Sequence, residues 1–343
     1  MYESDGFDIS KERQRFMRTI KWGVMGTAGI FENCTAPGMQ QADNCKMYAI
    51  AGRSMEKAEQ FKEKYGFEKA YGSYEELLAD PQVEAVYIPL PNTMHYEWAI
   101  RALQSGKHVL CEKPLAPSEE QAKEMFAAAE ENHVYLMEAF AYQHSPYIAA
   151  VDREIRAGVI GDVRYIECAF LTSDYNQNNI RMRRETLGGC TYDLGVYTTS
   201  LILRLLGEEP EQIKAVAAFS EEHIDTLTSA VMEYAHGKKA AFTCGMVLAT
   251  DQDRRIDRFE VQGTKGSIAG NVFEFNGDGE LSYTVRLSDG TQEIKKIAVP
   301  QNYRLEVEQL GRCVAGEEEP AVTQEFSLAN ARMVDRILKE IGY

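Results

Sequence analysis

Three residues carry the side chains best suited to chemistry. Lys113 lies in CEKP (111–114), at the end of the short apolar run HVLCEKP (108–114). Asp193 and Tyr197 sit four residues apart in GGCTYDLGVYTTSL (188–201), so on a helix they share one face. A carboxylate beside a phenol can orient a hydroxyl and exchange a proton with it. A lysine at the carboxyl end of a parallel strand can meet both a cofactor and a substrate hydroxyl, because ligands of such sheets bind there. Each feature also has a plain reading: a surface lysine before a proline turn, and a core tyrosine whose hydroxyl is satisfied by the aspartate.

A second constellation concerns phosphate. GVMGTAGIF (23–31) runs close to G-x-G-x-x-G. Gly26 permits the tight turn. Ala28 stands at the second glycine and adds only a methyl where backbone must approach a pyrophosphate. Gly29 relieves that crowding. Phe31 stands at the third glycine, which predicts a wider separation of helix and sheet. With Thr27 and Ile30, these residues open a helix whose N–H groups and positive dipole end favour phosphate. The alternative is an ordinary strand-to-helix turn. NAD sites usually carry an acid at the end of the next strand, about 20 residues on. Here that end reads AGRS (51–54). The guanidinium of Arg53 and the hydroxyl of Ser54 suit a 2′-phosphate, which points to NADP. A solvated Arg53 with Ser54 merely capping a helix is the plainer reading, and both roles of Ser54 are compatible.

The elements that must position these groups follow from periodicity. Apolar runs at 20–25, 46–52, 83–90, 108–114 and 134–140 predict buried strands. Between them, helices are expected at 54–66, 73–80, 94–105 and 118–132, opened by Ser54, by Ser73 with Glu76, and by Ser118 with Gln121. This βαβ rhythm predicts a doubly wound parallel sheet. After about residue 140 the pattern becomes long alternating stretches separated by the turn signals HGKK, GTKG and SDGT. Helices are expected near 146–157, 191–206, 302–315 and 326–341. The expected architecture is α/β: a nucleotide-binding domain over 20–140, an α+β domain with a mostly antiparallel sheet over 141–343, and a charged arm over 1–19.

Composition narrows the function classes. The chain has 343 residues, 44% of them hydrophobic, enough for about two packed domains. Its formal charge is −16, which disfavours nucleic acid. Seven cysteines without a C-x-x-C pair argue against a disulfide framework and against a metal site. No apolar run nears the ~18 residues of a membrane span and the first residues lack an apolar signal core, so a cytoplasmic protein is expected.

In order along the chain, GVMGTAGI, AGRS, YGSYEELLADPQVEAVYIPLPNTMH, VLCEKPL, LMEAF and GGCTYDLGVY resemble the glucose–fructose oxidoreductase/inositol dehydrogenase (Gfo/Idh/MocA) family. The likeness is greatest to its branch of dihydrodiol dehydrogenases and NADP-linked xylose dehydrogenases, and it spans 20–340. The resemblance implies a Rossmann domain followed by an open-faced sheet domain that pairs subunits into a homodimer or a dimer of dimers. It implies that Lys113 contacts the nicotinamide ribose and the substrate, that Asp193 holds a substrate hydroxyl, and that Tyr197 is the acid/base. Pro91, Asn92 and His95 of PNTMH, with Glu112, would join the cofactor site, His95 near the nicotinamide. Lys113 is expected to favour the Tyr197 phenolate, with Asp193 opposing it. After MEAF, Ala141, Tyr142 and Gln143 replace the bulk and guanidinium of many relatives. They are expected to reshape the substrate pocket toward a sugar or polyol rather than an aromatic diol. The expected activity is NADP-dependent hydride transfer at a secondary alcohol of a cyclic sugar, polyol or diol. Two other classes fit the same features: a glycosidase- or epimerase-like enzyme that retains its nicotinamide, and a non-catalytic dinucleotide sensor.

Overall fold

The computed structural model describes residues 18–173, 176, 178–249, 255–273 and 279–343. The expected arm over 1–19 lies almost wholly outside them. The first apolar runs form β1 (Ile20–Met25), β2 (Cys45–Ala51), β3 (Lys69–Tyr71), β4 (Ala85–Ile88), β5 (His108–Glu112) and β6 (Leu136–Ala139). They make a six-stranded sheet in the order β3-β2-β1-β4-β5-β6, and every pair is parallel. Both faces are covered by helices, so a strand such as β4 is buried along its whole length and reads as an unbroken apolar run. The crossovers are α1 (Ala36–Gln41), α2 (Met55–Tyr65), α3 (Tyr74–Ala79), α4 (Asn92–Gln104) and α5 (Glu119–Glu131). Ser54, Ser73 and Ser118 accept the backbone N–H three residues on, at Lys57, Glu76 and Gln121, as the capping pattern requires. The chain order reverses between β1 and β4, which opens a crevice at the carboxyl ends of the strands.

The remainder begins with α6 (Pro146–Arg156) and β7 (Val163–Ser173), followed by α7 (Val196–Leu206). Then come β8 (Gln212–Phe219), β9 (Asp225–Glu233), β10 (Lys239–Leu248), β11 (Ile256–Gly263), β12 (Gly266–Gly270), β13 (Gly279–Leu287) and β14 (Gln292–Val299). These strands form an eight-stranded sheet, β14-β13-β12-β11-β7-β10-β9-β8. It is antiparallel except where β7 and β10 run together. Helices α6, α7 and the final α9 (Gln324–Ile341) cover one face. The other face presents Val216, Val231 and Ile294, exposed by 73%, 54% and 59%. Helix α8 (Asn302–Val314) crosses back and packs on α1, β2 and β5, so a late segment of chain reaches the first sheet. Among the described residues no helix is long and apolar enough to cross a membrane.

Candidate active site

The two sheets meet around a cleft of about 750 Å3 at the carboxyl ends of β1, β4 and β5. Ala28, Gly29 and Ile30 line one end, with Leu90, Pro91, Asn92, Glu112 and Lys113 beside them. Gly26 takes φ +123, a left-handed value, and its N–H bonds the Ala51 carbonyl at 2.8 Å, which folds the loop against β2. A side chain at Gly29 would meet nothing closer than Asn33 at 3.8 Å, so the loop leaves room above the helix start. That helix starts at Gly29, where the Glu32 N–H bonds the Ala28 carbonyl at 3.1 Å, and passes into a π-helical turn, Phe31–Thr35. Its start, at Ala28–Ile30, lies at the cleft, where the leading N–H groups suit an anion. Phe31 does not simply hold the helix away from the sheet. It is fully buried among Phe61, Tyr65, Phe67 and Tyr87, with ring centroids at 5.4–6.4 Å, and the π turn accommodates the ring. Arg53 and Ser54 are exposed at the end of β2, with no carboxylate between Ala51 and Ser54. The loop, the open N–H groups and this strand end fit a dinucleotide bearing a 2′-phosphate.

The other side of the cleft is built on the glycine-led segment. Thr191–Gly195 is a second π-helical turn, continuous with α7. Its start is fastened by Asp225 of β9, fully buried, whose Oδ2 accepts from the Thr191 N–H at 2.8 Å, the Thr191 hydroxyl at 2.6 Å and the Thr228 hydroxyl at 2.9 Å. Gly189 is required here: its φ is +113 and a Cβ would lie 2.0 Å from Asp225 Oδ1. This anchor aims Asp193 into the cleft. Lys113 Nζ donates to the Asp193 carbonyl at 2.9 Å and to its Oδ1 at 3.1 Å, and Arg181 Nε donates to Oδ2 at 2.7 Å. Burial would raise the Asp193 carboxyl, but the two cations outweigh it and hold it down at about 2.

Tyr197 lies inside an aromatic box of Phe140, Tyr142, Phe170 and Phe273, with centroids at 5.7–6.0 Å. Lys113 Nζ sits 4.7 Å from the centre of its ring. The structure thus corrects the expectation that Lys113 favours the phenolate. The ammonium lies on the ring face and is committed to Asp193. Burial first, then Glu112 and Asp193, push the phenol well above its usual range.

Two other sequence-predicted features are placed away from the cleft wall. His95 is fully buried, its two ring nitrogens 2.8 Å from the carbonyls of Pro114 and Leu90. It braces the loops after β4 and β5 and does not line the cleft. Ala141, Tyr142 and Gln143 are buried behind it: the Tyr142 hydroxyl meets Ser200 at 2.7 Å, and Gln143 Oε1 accepts from Arg204 at 2.7 Å. Tyr142 thus forms one wall of the box around Tyr197, and none of the three lines the cleft itself. Residues that do line it, and that the sequence reading passed over, are Arg181, Phe170, Phe273, Arg255 and Tyr303. The basic run Arg181, Arg183, Arg184 before the glycines was the available signal for the first; the others are set by sheet register and by the return of α8. Asn92 Nδ2 donates to the Leu187 carbonyl at 2.9 Å, tying the two domains across the cleft.

Comparison with known proteins agrees with this architecture. Residues 20–140 match the model of an oxidoreductase family with an NAD-binding Rossmann fold, and 148–269 match the Gfo/Idh/MocA C-terminal domain. The chain belongs to the Gfo/Idh/MocA oxidoreductase family. It is 34% identical to D-xylose 1-dehydrogenase (NADP(+)) 2 of Haloferax volcanii, over 93% of this chain and 96% of that one. It is 30% identical to trans-1,2-dihydrobenzene-1,2-diol dehydrogenase of Xenopus laevis, over 94% and 98%. A 3-ketoreductase from Actinomadura kijaniata, solved with NADP and TDP-benzene, superposes with a TM-score of 0.87 at 30% identity, covering 94% and 98% of the two chains.

Proposed function

We propose that this oxidoreductase is an NADP-dependent dehydrogenase acting at a secondary alcohol, or the matching ketone, of a cyclic sugar, polyol or diol. The observation that carries the reading is the closure of Lys113 and Asp193 on Tyr197 at the floor of a cleft whose other end is a phosphate cradle. NADP use by the xylose dehydrogenase and the ketoreductase, and the absence of an acid beside Arg53, support the cofactor assignment. When bound, NADP supplies the hydride acceptor or donor. Lys113 and Asp193 position the substrate oxygen. Tyr197 holds its proton firmly until charge develops on that oxygen, then donates it, as a general acid with a raised pKa does. Phe170 and Phe273, stacked at 4.7 Å, give the cleft an apolar wall for the C–H face of a ring. The open sheet face with Val216, Val231 and Ile294 is the natural surface for a second copy, and we assign the protein to the cytoplasm as a homodimer.

An absorbance screen at the NADPH band with sugars, polyols, diols and their ketones tests the activity. Tyr197→Phe should then lower kcat by about 10²–10⁴-fold while stability changes by about 1 kcal/mol. A Phe variant with full activity and a much lower Tm would make Tyr197 a packing residue and defeat the assignment.

A further inference from the structure

Tyr343 stands two residues past the end of α9 and does not line the cleft, yet it packs against the segment that carries Asp193. Gly342 caps the helix in a left-handed turn, and the Tyr343 N–H bonds the Leu338 carbonyl at 3.0 Å, as in a Schellman turn. His223 Nε2, from the connection between β8 and β9, lies 2.9 Å from the Gly342 carbonyl and fixes that turn in place. The Tyr343 hydroxyl donates to the Gly188 carbonyl at 2.7 Å. The ring edge abuts Gly189, where a Cβ would lie 3.3 Å from Tyr343 Cε2. Tyr192, the neighbour of Asp193, meets the ring edge-on at 5.6 Å, and the Arg184 guanidinium lies 4.5 Å from its centre.

These neighbours lead to the groups of the cleft. The Gly189 N–H bonds the Arg181 carbonyl at 2.8 Å, and the Gly189 carbonyl accepts the Asp193 N–H at 3.1 Å. The Tyr192 hydroxyl donates to the Pro117 carbonyl at 2.9 Å, on the loop that follows Lys113. Gly188 is buried, so its carbonyl needs a donor, and the Tyr343 hydroxyl supplies one. Burial first, then Asp225, push that phenol up to about 12, so it stays a donor throughout the neutral range. Phenylalanine would serve packing alone. The hydroxyl adds one bond, where the backbone enters the Thr191–Gly195 turn.

We propose that Tyr343 is a positioning residue for the reaction: its hydroxyl pins the entry to the Thr191–Gly195 turn and so holds Asp193 where Lys113 and Arg181 reach it. Asp225 takes up the N–H of Thr191, and Tyr343 takes up the carbonyl of Gly188, three residues earlier. The backbone between them is held from both ends, and the Asp193 carboxylate is aimed from that fixed stretch. The effect on turnover rests on the dehydrogenase reading; the anchoring rests on the contacts alone.

The test uses the full chain with Tyr343→Phe, which keeps the ring and removes only the hydroxyl, so the variant should fold and melt somewhat below wild type. Hydrogen exchange read by mass spectrometry should quicken over residues 188–197 and stay as in wild type over the first sheet. NADPH binding by fluorescence should be unchanged. With a ketone from the screen, kcat should fall about 10-fold, less than the ~10²-fold cost of misplacing reacting groups by about 1 Å. In an Asp193→Asn background the same change should leave kcat where Asp193→Asn alone puts it, because both act through one carboxylate. Unchanged exchange over 188–197 would overturn the anchoring. A kcat loss that simply multiplies that of Asp193→Asn would overturn the route through Asp193. A wild-type protein that reduces no carbonyl compound, with exchange still quickened in the variant, would defeat the dehydrogenase reading and leave the anchor standing.

Discussion

Two helices meet the cleft through π-helical turns, and they are fastened in opposite ways. The turn at Phe31–Thr35 is held from its apolar side, by one ring among four others, and the helix start ahead of it, at Ala28–Ile30, lies open on the cleft. The turn at Thr191–Gly195 is held at its N-terminus, where the carboxylate of Asp225 takes up the Thr191 N–H and hydroxyl. The first arrangement keeps the positive helix end for a phosphate that comes and goes. The second uses up that end to make a rigid platform for Asp193 and Tyr197. An active site of this kind needs one helix start kept open and one filled. π turns recur at functional sites, and here they allow a bulky ring in one helix and a re-aimed carboxylate in the other.

Substitutions can break each half separately. The largest effect is expected at Phe31. Phe31→Gly restores the glycine fingerprint on paper but empties an aromatic core, at about 3–5 kcal/mol. Thermal unfolding should fall steeply, without any gain in NADP affinity by calorimetry. Tighter NADP binding in a stable variant would show that the ring is not the fastening. Asp225→Ala comes next. It strands the Thr191 N–H and should cost about 2–4 kcal/mol, with kcat reduced and NADP affinity unchanged. Asp225→Asn should recover much of the stability. Loss of cofactor affinity in either variant would mean that the two halves are not independent.

The anion end is probed by Arg53→Ala, which should weaken NADP binding by about 1.5–3 kcal/mol, the scale of a charge-assisted hydrogen bond, and leave NAD nearly untouched. Equal affinity of the native protein for both cofactors would remove the assignment. The smallest effect is electrostatic. The Asp193 carboxyl is held at about 2, below its ordinary 3.8. A depressed carboxyl contributes stability that is complete above about pH 4 and lost as pH falls toward 2, worth about 2 kcal/mol. The Tm of Asp193→Asn should therefore fall less between pH 4 and pH 2 than that of wild type.

Much of this was legible in the chain. Serine caps, the βαβ rhythm and the runs at CEKP and GGCTYD located the strands, the crossovers, Lys113, Asp193 and Tyr197, because each depends on neighbours within a turn or two. What failed did so at long range. QIKAVAAF (212–219) is alanine-rich, with weak strand preference, and becomes β8 only by pairing with β9. The setting of Ala141–Gln143 was not legible from their place after MEAF, because the chain turns Tyr142 against Tyr197 and sets Ser200 and Arg204 beside Tyr142 and Gln143. The state of Tyr197 was misjudged because sequence shows that Lys113 is available, not that its ammonium rests on the ring and is committed to Asp193.

The sequence by itself determined the elements, the order of the motifs and the types of the chemical groups, since periodicity, capping and turn preference are local. Only the tertiary structure decided that Asp225, 32 residues beyond Asp193, fastens its helix, and that α8 returns to set Tyr303 against β5. Burial and charge pairing are properties of groups brought together from distant parts of the chain. The protonation of Asp193 and Tyr197 is set by that meeting, because desolvation and opposing charge act across space and leave no mark on neighbouring residues.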